Sequence, residues 1–484
     1  MATFFEKRVL TREEARSKEA MLYARGFAVY RNVVGQVPGH WNSFVLRGGW
    51  RVSWDDRNKL AVGESKREAV VMIGHAVSPR LSTSRMDEIV DDLVDSTCDL
   101  EFQQKIDDLA GRFVVFRISA DYVLVQSDAA GLRPVFFTEE PLSICIGSHA
   151  KLLGELTNAP IGPMGYASFF KDSGVNSFPG RNTQYNGVLR LTPNTEVEAI
   201  HRTTRRIFPV AESAHMSVGE AASRLIEYSS SVSRLIQDYP GEIIASLSAG
   251  LDSRVTLAMN RQRAKDIHFF TYDIQYLPKN AGNRYDRETA VDIASEFDLS
   301  HEVLEVSNEP VPRDVLFALD SNSKATHSRK LAYSYFQSLP IDSTHLRSHV
   351  YEITRGYYHP FNYGISEFSG RELQYIASAG KSSTDDAVSA FQRYRDETDF
   401  ANLYNYDPLD IFYWEYRSAV IMAAPLLEMD MGHDNFTMIN SRALLRDLLS
   451  LPIENRRRGD VYFSAIKQLW PELLEFPING KRVS

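Results

Sequence analysis

The chain has 484 residues, of which 43% are hydrophobic and 24% are charged, a composition typical of a globular protein with more than one domain. Its formal net charge of −9 argues against nucleic acid as a partner, because phosphate backbones are bound by basic surfaces. The N-terminus has no apolar signal segment and no stretch approaches the roughly 20 apolar residues of a membrane span, so we expect a soluble cytoplasmic protein.

The first third of the chain is predicted to be rich in β-strands. Short apolar or alternating runs bounded by turn residues are typical of strands. Such runs are Phe27–Tyr30, Ser43–Arg47, Ala69–Ile73, Arg112–Arg117, Tyr122–Gln126, Val135–Phe137 and Ser143–Ile146. Their close spacing predicts an α+β domain in which antiparallel sheets pack on one another.

The pattern changes near residue 210. Ser217 and Glu220 are spaced as in a capping box, and apolar residues then recur at helical spacing to about Asp238. Further elements are predicted at Glu242–Leu247, Ile267–Tyr272 and Glu302–Val306 as strands, and at Tyr285–Phe297 as a helix. This alternation predicts a parallel-sheet α/β domain, with a helical part from about Pro408. We therefore divide the chain into domains at 1–208 and 209–484.

A run of small residues joins the first of these later strands to a helix. It reads Ser248-Ala249-Gly250-Leu251-Asp252-Ser253 and follows the apolar run that ends at Leu247. Small residues let backbone amides approach an anion, and the start of a helix supplies unpaired N–H donors. Ser248 and Ser253 add hydroxyl groups, whereas Asp252 would repel a phosphate unless a Mg²⁺ ion lay between them. The segment predicts a phosphate-binding loop, and it is not a Walker A motif.

This segment resembles the PP-loop, S-G-G-x-D-S, of the adenylate-forming ATP pyrophosphatases, and especially the L-S-G-G-L-D-S of the asparagine synthetase branch. Ala249 stands where the family has its first glycine. The resemblance implies an ATP site on a parallel sheet, with Mg²⁺ held by an aspartate. It assigns ATP binding to Leu247, Ser248, Gly250, Asp252 and Ser253.

The likeness continues downstream of the loop. Phe269–Tyr272 occupies the place of the family's second strand, whose end contacts adenine, so the resemblance makes Tyr272 a candidate ATP contact. Asp286–Ala294 resembles the E-x-x-x-A-x-x-x-A helix of the family. We interpret His301, which follows that helix, as a structural residue.

A second loop of the family, S-G-x-G-A-D-E-x-x-G-G-Y, has its best counterpart in His349–Tyr357. Glu352 falls in register, but the glycines and the aspartate of the pattern are missing. Glu352 is the nearest carboxylate that could share the metal with Asp252, and Arg355 could neutralise pyrophosphate as it leaves. Tyr351 is a candidate for helping to deprotonate the amine. The alternative is that this loop has lost its catalytic role.

Two cationic segments near the C-terminus are further candidates. Relatives use a late lysine to stabilise the charge of acyl transfer, and Lys481 follows a turn in Phe476–Gly480. The alternative for Lys481 is a solvated terminal lysine. Arg456–Arg458 is most simply a solvated helix end, with contact to an acidic substrate as the alternative.

The first third resembles the glutamine amidotransferase domain of asparagine synthetase. Three segments carry the likeness: Gly111–Phe116, Asp128–Phe137 and Gly147–Leu153. The resemblance implies an Ntn-hydrolase-like two-sheet domain, in which a mature N-terminal cysteine attacks glutamine. This chain begins Met1-Ala2-Thr3 and its first cysteine is Cys98. We expect no glutamine hydrolysis, and we interpret the domain as a degenerate scaffold.

The resemblance implies an AMP-forming carbon–nitrogen ligase, in which a carboxylate forms an acyl-adenylate with ATP and an amine then takes the acyl group. Relatives without the cysteine include β-lactam synthetase, carbapenam synthetase and lasso-peptide cyclases. They favour an amine within the substrate, and a partner protein that delivers a peptide. Two alternatives stay open: an ammonia- or amine-dependent amide ligase of antibiotic or polysaccharide biosynthesis, and a non-catalytic protein that binds nucleotide.

Overall fold

The computed structural model describes residues 1–140, 143–162, 177–239, 241–274, 281–323, 329–361, 363–380 and 384–482, without the side chains of 281–283. These residues form two antiparallel sheets, one parallel sheet and the helices that surround them. This α/β architecture confirms the predicted fold class. Within the described ranges, no helix combines the length and the hydrophobicity that a membrane crossing requires.

The strands of the N-terminal half form the two antiparallel sheets. They are β1 (Thr3–Phe5), β2 (Phe27–Arg31), β3 (Asn42–Val45), β4 (Arg51–Trp54), β5 (Leu60–Glu64), β6 (Ala69–Val77), β7 (Ala110–Ile118), β8 (Val123–Ser127), β9 (Phe136–Thr138), β10 (Ile144–Gly147), β11 (Val188–Arg190), β12 (Thr195–Glu198) and β13 (Thr203–Arg206). One sheet has the order β1-β5-β6-β7-β8-β12-β13, and the other has the order β11-β9-β10-β2-β4-β3.

The two sheets pack face to face, and helices cover their outer faces. The helices of this half are α1 (Arg12–Ala15), α2 (Lys18–Met21), α3 (Met86–Val94), α4 (Asp99–Asp107) and α5 (Ala150–Thr157). Strand β6 is buried at every position because alternate side chains enter different cores. Val71 and Ile73 lie between the sheets, whereas Val70 and Met72 pack on α3 and α4. Helix α5 packs on the second sheet. The layering is the predicted packing of two antiparallel sheets on one another.

The C-terminal half is built on the parallel sheet. Its strands are β14 (Ile243–Ser246), β15 (His268–Ile274), β16 (His301–Val306), β17 (Thr344–Leu346) and β18 (Asp434–Phe436). Their order is β16-β15-β14-β17-β18, and every pairing is parallel. The two faces of the sheet enter different hydrophobic cores, since Ile243 and Phe269 lie in one core and Ile244 and Phe270 lie in the other.

The helices of this half follow the chain. They are α6 (Val218–Leu235), α7 (Leu251–Met259), α8 (Ala281–Glu296), α9 (Arg313–Asn322), α10 (Arg329–Ser338), α11 (Gly370–Ala377), α12 (Asp385–Glu397), α13 (Pro408–Phe412), a π-helix (Tyr413–Met422), α14 (Ala424–Met429), α15 (Arg442–Leu449), α16 (Ile453–Arg458) and α17 (Asp460–Leu469). Helix α6 begins at the predicted capping box of Ser217. Its last predicted turn is a 3₁₀ helix, Ile236–Asp238. The predicted boundary at 208 and 209 falls between β13 and α6 and remains a prediction.

The two halves meet at a layer of buried charges. Arg112 on β7 donates two hydrogen bonds to Asp430, with N–O distances of 2.5 and 2.8 Å. Arg25 pairs in the same way with Asp342, and neither side chain is exposed by more than 2%. Asp434 on β18 lies 3.5 Å from Arg112 and 3.8 Å from Arg25. The N-terminal half supplies the cations of this layer, and the C-terminal half supplies the carboxylates.

Candidate active site

The predicted PP-loop joins β14 to α7. Leu247 extends the strand, because its N–H donates to the carbonyl oxygen of Phe270 at 2.9 Å. Gly250 is the N-cap of α7, and no side chain caps the helix there. The first amides of α7 are therefore available to an anion, as at other helix N-termini that follow a strand.

The serine hydroxyls fold back on the loop. The oxygens of Ser248 and Ser253 lie 2.9 Å apart, and the N–H of Gly250 donates to Ser248 Oγ at 3.1 Å. The N–H of Ser248 donates to Ser253 Oγ at 3.3 Å. These bonds hold a tight turn, and a phosphate oxygen could replace the hydroxyl partners without unfolding it.

Two neighbouring elements fix the middle of the loop. The N–H of Ala249 donates to Asp286 Oδ1 on α8 at 2.9 Å. The carbonyl oxygen of Ala249 accepts the N–H of Asn479 at 3.0 Å. Burial raises the pKa of Asp286, and the bond to Ala249 opposes that shift. The loop is thus held from both sides by residues far from it in sequence.

Asp252 faces a guanidinium group. Arg355 Nη1 donates to Asp252 Oδ1 at 2.8 Å, and 22% of the Asp252 side chain is exposed. The pKa of Asp252 is raised to about 6, mainly by burial; the Arg355 charge opposes the shift and the Glu352 carboxylate adds to it. Asp252 and Glu352 therefore act on each other electrostatically, as two carboxylates around one cation site would.

Glu352 is held by a tyrosine from a distant helix. It lies in a 3₁₀ helix, Tyr351–Thr354, that begins after Val350, whose φ of 79° is left-handed and rare for a β-branched residue. Tyr413, the first residue of the π-helix, donates its hydroxyl to Glu352 Oε2 at 2.5 Å. Burial, followed by the Glu352 charge, raises the pKa of Tyr413 well above its usual range, so this hydroxyl keeps its proton.

These residues line one cleft of about 440 Å³. It lies at the carboxyl edge of the parallel sheet, between β14 and β17, where the strand order reverses and where α/β sheets commonly bind ligands. The lining residues are Ser246, Leu247, Ser248, Gly250, Leu251, Asp252, Ser253, Thr271, Tyr272, Asp286, Leu331, Tyr335, Arg347, Ser348, His349, Glu352, Arg355 and Asn479. The cleft brings together every residue predicted to bind ATP or Mg²⁺.

Tyr272 lies at the β15 side of the cleft. Its side chain is 43% exposed, and its ring centroid lies 6.3 Å from that of Tyr335 on α10. The neighbouring Thr271 donates its hydroxyl to the carbonyl oxygen of Leu247 at 2.8 Å. This bond ties the end of β15 to the start of the loop.

Two predicted catalytic residues are not among those that line the cleft. Tyr351 is 1% exposed, and its hydroxyl lies 2.9 Å from Thr256 Oγ1 on α7. Its neighbour Glu352 points into the cleft instead. The side chain of Lys481 is exposed, and its N–H donates to Ile478. Tyr351 therefore supports the loop from behind, and Lys481 lies two residues beyond a cleft residue, Asn479.

Several residues in or next to the cleft were outside the sequence prediction, and three of them make contacts that matter for the site. Tyr413 is 61 residues from Glu352, and nothing in its sequence surroundings marks the contact. Asp286 stands in the segment that resembles the family helix, which was the available signal for it. Arg347 directly follows β17, at the edge where a parallel sheet presents its ligand-binding residues.

A second pocket shares a wall with the cleft. It has a volume of about 510 Å³, and Glu352 and Arg355 line both spaces. Its other walls include Tyr357 and the exposed Arg457. The guanidinium of Arg417 lies 4.6 Å from the centroid of the Tyr357 ring. A molecule in this pocket would meet the cleft at the carboxylate of Glu352.

The residues of the cleft fit a divalent cation. Mg²⁺ prefers carboxylate oxygens together with phosphate oxygens of its substrate. Asp252 and Glu352 both line the cleft, and the charge of Glu352 contributes to the raised pKa of Asp252. Tyr413 occupies one Glu352 oxygen and leaves the other for a ligand.

No protein-family model matches the chain, and no curated protein matches it. Among solved structures, 32 chains match. Glutamine phosphoribosylpyrophosphate amidotransferase from B. subtilis, complexed with ADP and GMP, has a TM-score of 0.24 and 7% identity, over 73% of this chain and 77% of that one. NMN synthetase from Francisella tularensis has a TM-score of 0.21 and 16% identity, over 42% and 94%. NH3-dependent NAD synthetase from Campylobacter jejuni has a TM-score of 0.20 and 11% identity, over 38% and 96%. Likenesses this distant carry no argument about the function of this chain.

Proposed function

We propose that the protein is an ATP-dependent ligase that adenylates a substrate carboxylate and transfers the acyl group to an amine, without hydrolysing glutamine. The observation that carries the proposal is the cleft itself. The amides of the PP-loop, Asp252 and Glu352 meet there at the switch point of a parallel sheet. Loop amides suit phosphates, and paired carboxylates suit a magnesium ion between phosphates.

ATP would lie across the carboxyl ends of β15, β14 and β17. Tyr272 and Leu247 line the β15 side, where a flat base could contact the exposed tyrosine ring. Ser248, Gly250 and Ser253 would contact the phosphates. Mg²⁺, held by Asp252 and Glu352, would neutralise phosphate charge when bound.

In the first step, a carboxylate oxygen attacks the α-phosphorus and pyrophosphate leaves. Charge then grows on the leaving group, and Arg355 is placed to stabilise it once a cation takes its position at Asp252. In the second step, an amine attacks the acyl carbon, AMP leaves and the amine loses a proton. Glu352 is the candidate acceptor of that proton, because Tyr413 orients the carboxylate while leaving one oxygen free.

The carboxylate and amine substrate would occupy the second pocket. This pocket shares the lining residues Glu352 and Arg355 with the cleft, so its occupant would lie next to these two side chains and close to the nucleotide. A substrate that carries both groups, as in lactam or lasso-peptide closure, fits this arrangement without a third compartment. A peptide brought by a partner protein is one form of such a substrate, and antibiotic or polysaccharide biosynthesis is the proposed setting.

The cysteines support a ligase that does not use glutamine. Cys145 lies buried on β10, and burial raises the pKa of its thiol. Cys98 is exposed at the N-cap of α4. Neither lines the cleft. The amine would therefore be free ammonia, a second substrate, or part of the acyl substrate.

One contact favours a second candidate, a non-catalytic nucleotide-binding protein. Arg355 occupies the carboxylate of Asp252 that a magnesium ion would need. If this ion pair persists with ATP bound, the protein would hold nucleotide without splitting it.

Product analysis distinguishes these functions. We expect the purified protein with ATP, Mg²⁺ and a panel of peptides and carboxylates to release AMP and pyrophosphate with the right substrate. Asp252→Ala should abolish both products. Glu352→Gln should weaken ATP–pyrophosphate exchange and abolish amide formation, because Glu352 is proposed both to hold Mg²⁺ and to accept the proton of the second step. The control Glu305→Gln changes an exposed carboxylate of β16 and should behave as the wild type. Release of ADP would contradict adenylation, and binding of ATP without any turnover would favour the non-catalytic protein.

A further inference from the structure

Arg347 is a partly buried cation in the wall of the cleft. It directly follows β17, and its N–H extends the sheet by donating to the carbonyl oxygen of Phe436 at 2.8 Å. Tyr272 and Tyr335 line the same cleft beside it. The sheet thus fixes the backbone of this arginine at the edge where the PP-loop begins.

Its side chain contacts neutral groups. Nη2 donates to His349 Nε2 at 3.1 Å, and Nη1 lies 3.5 Å from His345 Nδ1. Nη1 also lies 3.1 Å from the sulfur of Met429. Burial lowers the pKa of both histidines well below the usual range, so each ring is uncharged and can accept a hydrogen bond from the guanidinium. These contacts orient Arg347 without neutralising it.

Arg347 makes no ion pair within the described ranges. Several arginines with buried side chains elsewhere in these ranges have carboxylate partners, namely Arg25, Arg57, Arg112, Arg181, Arg206, Arg442 and Arg456. Within the same ranges, Arg254 has no such partner and donates to backbone carbonyl oxygens instead, whereas the guanidinium of Arg347 meets two histidine rings and a sulfur. The other arginine of the cleft, Arg355, is paired with Asp252. A desolvated cation without a counter-charge is costly, and a bound anion would remove that cost.

We infer that Arg347 binds an oxyanion in the cleft, either a phosphate of the nucleotide or a carboxylate of the acyl substrate. The inference rests on the proposed function for the identity of these ligands. A guanidinium presents parallel N–H donors that match phosphate and carboxylate oxygens two at a time. The histidines behind Arg347 hold that fork in one orientation, so the residue selects for a ligand with negative charge at this point.

Calorimetric binding tests the inference without requiring catalysis. The proteins are the wild type, Arg347→Gln, Arg347→Lys and the control Arg446→Gln, which changes an exposed arginine of α15 paired with Asp447. The probes are ATP, AMP, adenosine, inorganic pyrophosphate, and the acetyl and succinyl forms of sulfamoyladenosine. The succinyl form differs from the acetyl form by one carboxylate.

If Arg347 binds phosphate, Arg347→Gln should weaken ATP, AMP or pyrophosphate binding by about tenfold or more and leave adenosine unchanged. If it binds the substrate, the mutation should weaken the succinyl form selectively. In either case, the affinity for the affected probe should fall less in Arg347→Lys than in Arg347→Gln. If a folded Arg347→Gln binds every probe as tightly as the wild type does, the inference about Arg347 is wrong, but the proposed function is unaffected. Failure of the wild type to bind any probe would contradict both this inference and the proposed function. Thermal unfolding confirms that each variant is folded, and if Arg347→Gln is not, Arg347→Lys decides by the same comparison.

Discussion

At the scale of single residues, Asp252 is subject to two opposing effects. Burial favours its neutral acid, whereas the guanidinium of Arg355 favours its carboxylate. Burial dominates, so the folded protein holds this proton more tightly than the unfolded chain does. The charged form that a magnesium ion needs is therefore maintained at the expense of stability, as is common for groups that bind ligands.

The sign of the pH effect follows from that shift. The pKa of Asp252 is raised from 3.8 to about 6, so between these values the folded state binds more protons than the unfolded state. The unfolding free energy should fall as pH rises through this window. The full shift corresponds to at most roughly 3 kcal/mol. Urea denaturation at pH 4, 5, 6 and 7 measures it in the wild type and in Asp252→Asn.

We expect the stability of Asp252→Asn, relative to the wild type, to increase from pH 4 to pH 6 and then level off. Glu305→Gln, at an exposed position on β16, should show no such increase. A constant difference between Asp252→Asn and wild type across the range would show that the carboxyl is not protonated in the folded protein.

Residues of the cleft could be predicted from the sequence where they lie next to one another in the chain. The loop from Ser248 to Ser253 is held by contacts among its own residues, so its pattern was sufficient to predict the turn before α7. The contact between Glu352 and Tyr413 joins two distant segments, and a π-helix adds residues to each turn, so helical spacing does not reveal where Tyr413 points. The role assigned to Tyr351 rested on its position next to Glu352, but adjacent residues in a 3₁₀ helix face different directions.

At the scale of elements, α7 holds the C-terminal segment against the loop. Arg254 is fully buried and donates to the carbonyl oxygens of Leu473, Phe476 and Pro477, at 2.8 to 3.2 Å. The same segment reaches Asn479, which binds the PP-loop backbone. One helix therefore both starts the anion site and fixes the segment that supports it.

Arg254→Met should detach that segment. Three buried carbonyl oxygens would lose a charged donor, and we expect the unfolding free energy to fall by about 2–4 kcal/mol. Limited proteolysis should cut after residue 470 sooner than in the wild type, and ATP binding should weaken with it. Arg261→Met is the matched control, since this half-exposed arginine donates to the nearby Leu469. If proteolysis of Arg254→Met is as slow as that of the wild type, Arg254 does not hold the C-terminal segment in place.

The elements that the sequence predicted lie close to the predicted residues, whereas others, among them β4, β5, β17, β18 and α3 to α5, were not predicted. Helix α6 has its capping box, and β14 to β16 are short apolar runs that end near the predicted residues. Strands β12 and β13 escaped prediction, because Thr195–Glu198 and Thr203–Arg206 are polar and lie at one edge of their sheet. Their pairing, not their composition, makes them strands.

At the scale of the whole molecule, the charged layer between the halves makes them one structure. Arg112 and Asp430 are each about 1% exposed, so removal of either partner leaves the other charge buried. The halves also share an apolar core, since Ala129 and Ala130 pack in the same cluster as Trp414. The antiparallel half is thus structurally continuous with the parallel-sheet half, which the sequence pattern alone does not reveal.

Arg112→Met should destabilise both halves together. Breaking a buried pair typically costs about 3–5 kcal/mol. The control Arg117→Met lies on the same strand, β7, but pairs with Glu68 and the exposed Asp99, and should cost about 1 kcal/mol or less. Denaturation followed by tryptophan fluorescence and by ATP binding measures the loss. Retention of wild-type stability in Arg112→Met would show that the layer does not join the halves.

The charged layer also has a consequence for biosynthesis. Arg25 and Arg112 leave the ribosome long before Asp342, Asp430 and Asp434, because translation runs from the N-terminus. During synthesis, the surface of the antiparallel half that carries Arg25 and Arg112 therefore has no carboxylate partners. Water or a chaperone must cover this surface until the partners are made. The layer is complete only when Asp434 on β18 has also been synthesised, so full neutralisation of the sandwich and completion of the parallel sheet are both late events.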